Sequence, residues 1–273
     1  MRHGIVLAAA LLILAAALPA IAGDEGAVVV KVGHGEVNWT GKTITVTGSG
    51  APNLSKGAIT PAQVRLGTER AAEADAYRKV LEIVKGVHVD SQTTVGAQMQ
   101  ASPEVKTRVE GVIKGMKRID TKYYADGGVD VIVQVTLDGP VTEAVVKPPE
   151  KKAEQAAAAP APGAPSFTGI VVDARGLKLI PALAPRIVDE AGKEVYGPGA
   201  IEPEVLKTSG MVAYFLSLDS AKKNAKVTDN PVVVKAVKLL ENGKCDLVLG
   251  KDDAAKVAGA PVLKRGRVVV VVD

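Results

Sequence analysis

Residues Thr60–Gly86 read TPAQVRLGTERAAEADAYRKVLEIVKG, the one long helical pattern in the chain. Thr60 can cap, Pro61 suits the first helical position, and Gln63 completes a capping-box pattern. Val64, Gly67, Ala71, Ala74, Tyr77, Leu81 and Val84 recur at spacings of three and four, which predicts the stripe that faces a core. Arg65, Glu69, Glu73, Arg78, Glu82 and Lys85 supply the polar face, and Asp75 and Lys79 form a favourable pair four residues apart. Gly86 is placed as the stop. The small residues at the middle allow close approach to a sheet, so the helix reads as a packing device and its carboxylates as its wet face.

Outward from this helix the pattern is that of strands. On the N-terminal side, apolar residues span Ala27–Val32, and Glu36–Trp39 and Thr43–Thr47 flank Thr40-Gly41-Lys42 as a hairpin. Gly48-Ser49-Gly50-Ala51-Pro52 is expected to end it as a turn; no G-x-x-x-x-G-K follows, so a phosphate loop is not indicated. On the C-terminal side Val87, Val89, Ser91, Thr93 and Val95 alternate as one strand face, followed by a polar stretch with Pro103. A strand is expected from about Val112 to Tyr124, and Val129 to Leu137 alternates as another. Asp126-Gly127-Gly128 between them is a hairpin signal. The fold class that follows is α+β: an amphipathic helix packed on an antiparallel sheet.

Three pieces taken in order carry a resemblance: Ala71 to Arg78, Gly86 to Thr93, and the Tyr124–Val129 hairpin. Together they resemble the bacterial envelope lipoprotein family typified by the Helicobacter LPP-type lipoprotein, and also the N-terminal part of the flagellar H-ring protein FlgT. The likeness runs from about Lys56 to Asp138, about a third of the chain. It implies an envelope location and a structural or assembly role without enzymatic chemistry. The chain departs from the family pattern in having no lipobox cysteine.

The remainder divides by composition. Met1-Arg2-His3 is basic, Ile5–Leu18 is apolar, Pro19 breaks the run, and Ala20-Ile21-Ala22 before Gly23 is an A-x-A site. Residues 1–22 therefore read as a signal peptide cleaved after Ala22, leaving an exported protein in the periplasm or at the outer membrane of a Gram-negative bacterium. No later segment reaches spanning length, so no integral span remains after cleavage. Residues 24–147 form the first domain. Residues 148–165, PPEKKAEQAAAAPAPGAP, form a semi-stiff linker.

Residues 166–273 form a second, smaller domain of mixed α/β type. Its expected strands are Ser166–Asp173, Arg186–Asp189, Lys193–Tyr196, Val232–Leu240, Asp246–Leu249 and Val268–Val272. A short helix is expected from Pro203 to Thr208 and another from Asp219 to Lys226, with Asp252 capping a third; Met211–Leu218 fits strand or helix.

Composition narrows function. There are 15 basic and 15 acidic residues between Asp24 and Lys147, and 16 and 13 between Phe167 and Asp273, so neither half has the charge that nucleic-acid binding needs. A single cysteine excludes an intrachain disulfide and any multi-thiolate metal site. His34 and His88 lack ligand spacing, Cys245 has no neighbouring histidine, and no G-x-S-x-G is present. No catalytic residue, cofactor or metal is therefore assigned.

Three residues stand out as candidate partner contacts: Asp173 and Arg175 at a strand end, and Trp39, which could join Tyr123 and Tyr124 as a platform for sugars. The expected function is non-enzymatic support of an envelope or surface structure through contacts with an envelope protein, made by sheet edges and domain faces across the linker. A glycan- or peptidoglycan-binding module is the alternative. The oligomeric state is left open.

Overall fold

The computed structural model of the chain describes residues 26–53, 60–146, 167–240 and 244–273. The signal-peptide residues Ala20, Ala22 and Gly23 and the 148–165 linker lie outside the described residues.

The first sheet begins with three strands, β1 (Val29–Val32), β2 (Gly35–Asn38) and β3 (Thr43–Gly50). Three helices follow, α1 (Pro61–Gly86), α2 (Val95–Ala101) and α3 (Pro103–Lys114), and then β4 (Lys117–Tyr123), β5 (Val129–Thr136) and α4 (Pro140–Val145). The strands lie in the order β1-β2-β3-β5-β4, all antiparallel. The Thr60 cap forms as the sequence requires, with Thr60 Oγ1 accepting from the Gln63 N–H and Gln63 Oε1 from the Thr60 N–H. Helix α1 packs across β3 and β5.

Several expectations are corrected here. The face of α1 buried against the sheet is Thr68, Ala72, Ala76, Val80, Ile83 and Val84, whereas Gly67, Ala71 and Ala74 point to solvent. The reason lies in the strand beneath. Gly48 and Gly50 belong to β3, where they pair with Val131 and Val129, and do not form a turn. A Cβ on Gly48 would meet the Ala72 carbonyl at 2.2 Å, and one on Gly50 the Thr68 carbonyl at 2.2 Å, so helix and strand backbones touch directly.

The alternation from Val87 to Val95 likewise forms no strand. Asp90 Oδ1 accepts from the Gln92 and Thr93 N–H groups, which turns the chain back so that His88 bridges Thr94. The polar stretch after it is two helices, capped by Thr94 and Ser102, and the strand expected from Val112 starts only at Lys117.

The second sheet contains β6 (Gly169–Asp173), β7 (Ile187–Asp189), β8 (Glu194–Tyr196), β9 (Val212–Phe215), β10 (Pro231–Leu239), β11 (Leu247–Leu249) and β12 (Val268–Val271). Its helices are α5 (Pro203–Ser209), α6 (Leu218–Lys222), α7 (Lys251–Val257) and α8 (Pro261–Lys264). The strand order is β8-β7-β11-β10-β6-β12-β9, with β10, β6, β12 and β9 mutually parallel. Continuous apolar runs suit strands covered on both faces, and all four valines of β12 are fully buried. Met211–Leu218 resolves as the strand β9 followed by the start of α6. Asp252 does not cap α7; Gly250 occupies the cap, and Asp253 accepts instead from the Lys235 N–H.

The two sheets are not held apart on a tether. Buried side chains of both merge into one cluster, from Val46 and Ile83 to Tyr214 and Val270. Backbone bonds cross the seam at three places: Leu183 N–H to the His88 carbonyl, Ala184 N–H to that of Val89, and Leu216 N–H to that of Gly26. Among the described residues no helix is long and apolar enough to cross a membrane.

Candidate functional site

The seam is built around the aromatic residue at the end of β2. Trp39 is 5% exposed and meets Tyr214 of β9 edge-on, with ring centroids 5.7 Å apart. Thr40 ties the same strands, its hydroxyl donating to the Tyr214 carbonyl and accepting from the Val28 N–H. Lys42, 4% exposed, places Nζ 5.3 Å from the Trp39 ring centre and 5.0 Å from that of Tyr214, a cation–π arrangement shared between the sheets.

Burial lowers the Lys42 ammonium to about 8, opposed by the nearby Asp138 charge. Lys226 lies close by, and burial, then the Lys42 charge, bring it to about 7, with Asp138 again opposing. Its Nζ donates to the Ser209 and Gly210 carbonyls at 2.7 and 3.0 Å. A second fastening joins Arg186 to the fully buried Asp246, 2.8 Å between Nη2 and Oδ2, with the Ser91 hydroxyl donating to the same oxygen at 2.7 Å.

Beside this seam opens a cavity of about 370 Å³, walled by Val30, Val32 and Val37 of the β1–β2 hairpin, Ile83 of α1, and Ile180 and Pro181. His34 and His88, remote in sequence, both line it, with Lys79 and Glu82. Lys79 is engaged by Asp75 at 2.6 Å. Among the described residues no group of three or more His, Cys, Asp and Glu side chains is placed to hold a metal ion.

Strand β1 forms the lip of this cavity and, among the described residues, the outer edge of its sheet, where it pairs only with β2. Val29, Val30 and Val32 are 44%, 41% and 40% exposed. The opposite edge, β4, carries Lys117, Arg118 and Lys122, the charged residues that discourage strand addition. The edge of β9 is crossed by the segment holding Ala27, which bridges Phe215. Strand β1, with three exposed valines and the one exposed Lys31, therefore combines a pairing edge with a largely apolar hollow beneath it.

The residues singled out from the sequence are scattered. Asp173 and Arg175 close on each other, with Nε and Nη2 of Arg175 donating to the Asp173 carboxylate at 2.9 and 2.7 Å; this pairing holds that carboxyl below its usual range. Trp39 is buried at the seam, whereas Tyr123 and Tyr124 are exposed at the tip of the β4–β5 hairpin, so the three do not form one platform. Cys245 is fully buried; burial, then Asp246 and Asp90, push its thiol up to about 12. Sequence reasoning missed Lys42, Tyr214 and Lys226, which lie together where the two sheets pack, and the Arg186–Asp246 pair, which forms within the second sheet where β7 runs beside β11.

Comparisons with known proteins follow the two sheets. Residues 42–136 match the model of the LPP20 lipoprotein family, from the turn before β3 to the end of β5. The likeness to an LPP-type envelope lipoprotein family, read from the helix, the segment after it and the hairpin, is therefore present in this chain. Residues 169–273 match the model of the second domain of Treponema pallidum Tp0624. The β1–β2 hairpin lies outside both matched segments. No curated protein matches the chain.

Proposed function

We propose that this chain is an exported, non-enzymatic envelope protein that supports assembly of a cell-envelope or surface structure through protein contacts at the β1 edge. The observation that carries this reading is the exposed β1 edge, three valines interrupted by the single Lys31, above the 370 Å³ hollow. An extended segment pairing with β1 would satisfy the edge backbone and place alternate side chains over Val30, Val32 and Ile180. Because the hollow is walled from both sheets, it is preformed, and a partner strand bears mainly its own ordering cost.

The envelope location is supported by the match of residues 42–136 to a lipoprotein family and by the signal-like start at residues 1–22. The resemblance to the flagellar H-ring protein makes the flagellum the first surface structure to test. The non-enzymatic reading is supported by Cys245, whose thiol at about 12 is the opposite of an activated nucleophile.

The test is a photo-crosslinking residue at Val30 in cells that express the protein, with the exposed Lys193 as control position. A discrete adduct from position 30, absent from position 193 and reduced several-fold by Val32→Lys, is expected. No adduct, or the same adducts from both positions, overturns the proposal.

A further inference from the structure

We propose a second site, independent of the β1 edge: a platform for an oligosaccharide of pyranose units at the tip of the β4–β5 hairpin. Eight aromatic residues occur in the chain, and six are buried or half-buried. The two exposed ones, Tyr123 and Tyr124 at 59% and 49%, are adjacent and line one cavity of about 590 Å³ with Pro61, Val64, Arg65 and Val129. Tyrosine presents a large, stiff surface with few rotatable bonds, which suits stacking at low entropic cost.

Both rings are held in place. The Tyr123 hydroxyl donates to Glu69 Oε1 at 3.0 Å, and that of Tyr124 donates to Asp130 Oδ2 at 2.7 Å. Glu69 in turn lies near Arg65 and Arg118, and Asp130 accepts from the Ser49 hydroxyl at 2.6 Å. The hydrogen bond to Glu69 raises the Tyr123 phenol and that to Asp130 raises Tyr124, so both protons stay on.

This arrangement selects between ligand classes. With both phenolic protons committed, the site offers oxygen acceptors: two phenol oxygens and the unused lone pairs of Glu69 and Asp130. A proline-rich peptide in an aromatic groove needs donors for its carbonyls, and these tyrosines have none to give. A pyranose brings the reverse set, hydroxyl donors around its rim and an apolar C–H face for the rings. Arg65, 65% exposed along its side chain, remains as the one guanidinium at the rim to donate to a ring or acetamido oxygen.

The experiment titrates residues 23–273 with two tetrasaccharides, β-1,4-linked N-acetylglucosamine and maltotetraose, by calorimetry and saturation-transfer NMR. Binding of at least one, weakened roughly tenfold or more by Tyr124→Ala, is expected, since one stacked ring contributes about 1.4 kcal/mol. Tyr123→Phe and Tyr124→Phe keep the rings and lose less. Both sites are exposed, so an unchanged melting temperature checks that each variant is folded. The proposal is overturned if neither sugar binds at roughly 10 mM, if binding survives Tyr124→Ala in full, or if a proline-rich peptide binds in place of both sugars. The crosslink at Val30 is unaffected by any of these results, so the two readings fail separately.

Discussion

Lys42 and Lys226 show how much a single buried amine can set. Both face Asp138, Lys226 also feels Lys42, and the aromatic rings of Trp39 and Tyr214 border Lys42. A lysine whose folded value is lowered costs the folded state its full penalty while protonated, and the penalty fades as pH rises from the folded value towards the unfolded one near 10.5. Stability should therefore rise from pH 6.5 to 8.5, first through Lys226 near 7 and then through Lys42 near 8. Above that window the trend is opposed, because Cys245 and the buried Tyr196 and Tyr214 are raised and the unfolded chain releases their protons first. For Lys42 the penalty is on the order of 3 kcal/mol, and a gain of about 1 kcal/mol across the window corresponds to several degrees of melting temperature. Lys226→Met should raise the melting temperature at pH 6.5 and flatten the rise. A wild-type melting temperature that is level or falling from 6.5 to 8.5, or a variant with unchanged slope, contradicts this account.

At the scale of elements, α1 on β3 is the contact that makes the first sheet a domain. The helix itself was legible, because Thr60-Pro61 and Gln63 are local signals, and so were the hairpins at Thr40-Gly41-Lys42 and Asp126-Gly127-Gly128. The buried face was not. Ala71, Ala72, Ala74 and Ala76 are equally apolar, and what chooses among them is the glycine pair on a strand the helix does not touch in sequence. Helices α2 and α3 were missed although Thr94 and Ser102-Pro103 are start signals of the same kind as Thr60-Pro61. The seam lysines and Asp246 had no signal, since Tyr214, Asp138, Gly210 and Arg186 reach them from distant strands or turns, and Trp39 beside Lys42 signals nothing until Tyr214 packs there. Two alanine substitutions separate the faces of α1. Gly48→Ala drives a Cβ into helix backbone and should destabilise by about 3 kcal/mol or more. Gly67→Ala, on the face the sequence assigned to the core, meets nothing within 4 Å and should stabilise by about 0.5–1 kcal/mol. Chemical denaturation measures both, and equal losses at the two positions would restore the original stripe.

At the scale of the whole molecule, the question is whether two sheets with separate family likenesses unfold as one body. The common core and the fastenings on both sides of it, Trp39–Tyr214 at one place and Arg186–Asp246–Ser91 at another, argue for one transition. Trp39 is the only tryptophan and lies on the seam, so its fluorescence reports opening between the sheets, while far-UV circular dichroism reports both sheets together. In the wild type the two signals should trace one denaturation curve. Asp246→Ala removes a buried carboxylate that holds Arg186 and Ser91 and should cost about 2 kcal/mol, less than for a fully buried pair because Arg186 is partly exposed and can turn to water. Ser91 is the contact across the seam, while the Arg186 bonds lie within the second sheet. The loss therefore weakens the seam and that sheet together and the first sheet least, so the fluorescence midpoint should move to lower denaturant ahead of the dichroism midpoint, to which the first sheet contributes. Coincident curves in the variant would mean that neither sheet stands without the other, and the groove under β1 would then be a property of a single indivisible fold. Separated curves in the wild type would instead make the seam a weak contact between independent domains, and the preformed hollow that the β1 proposal relies on would be lost with it.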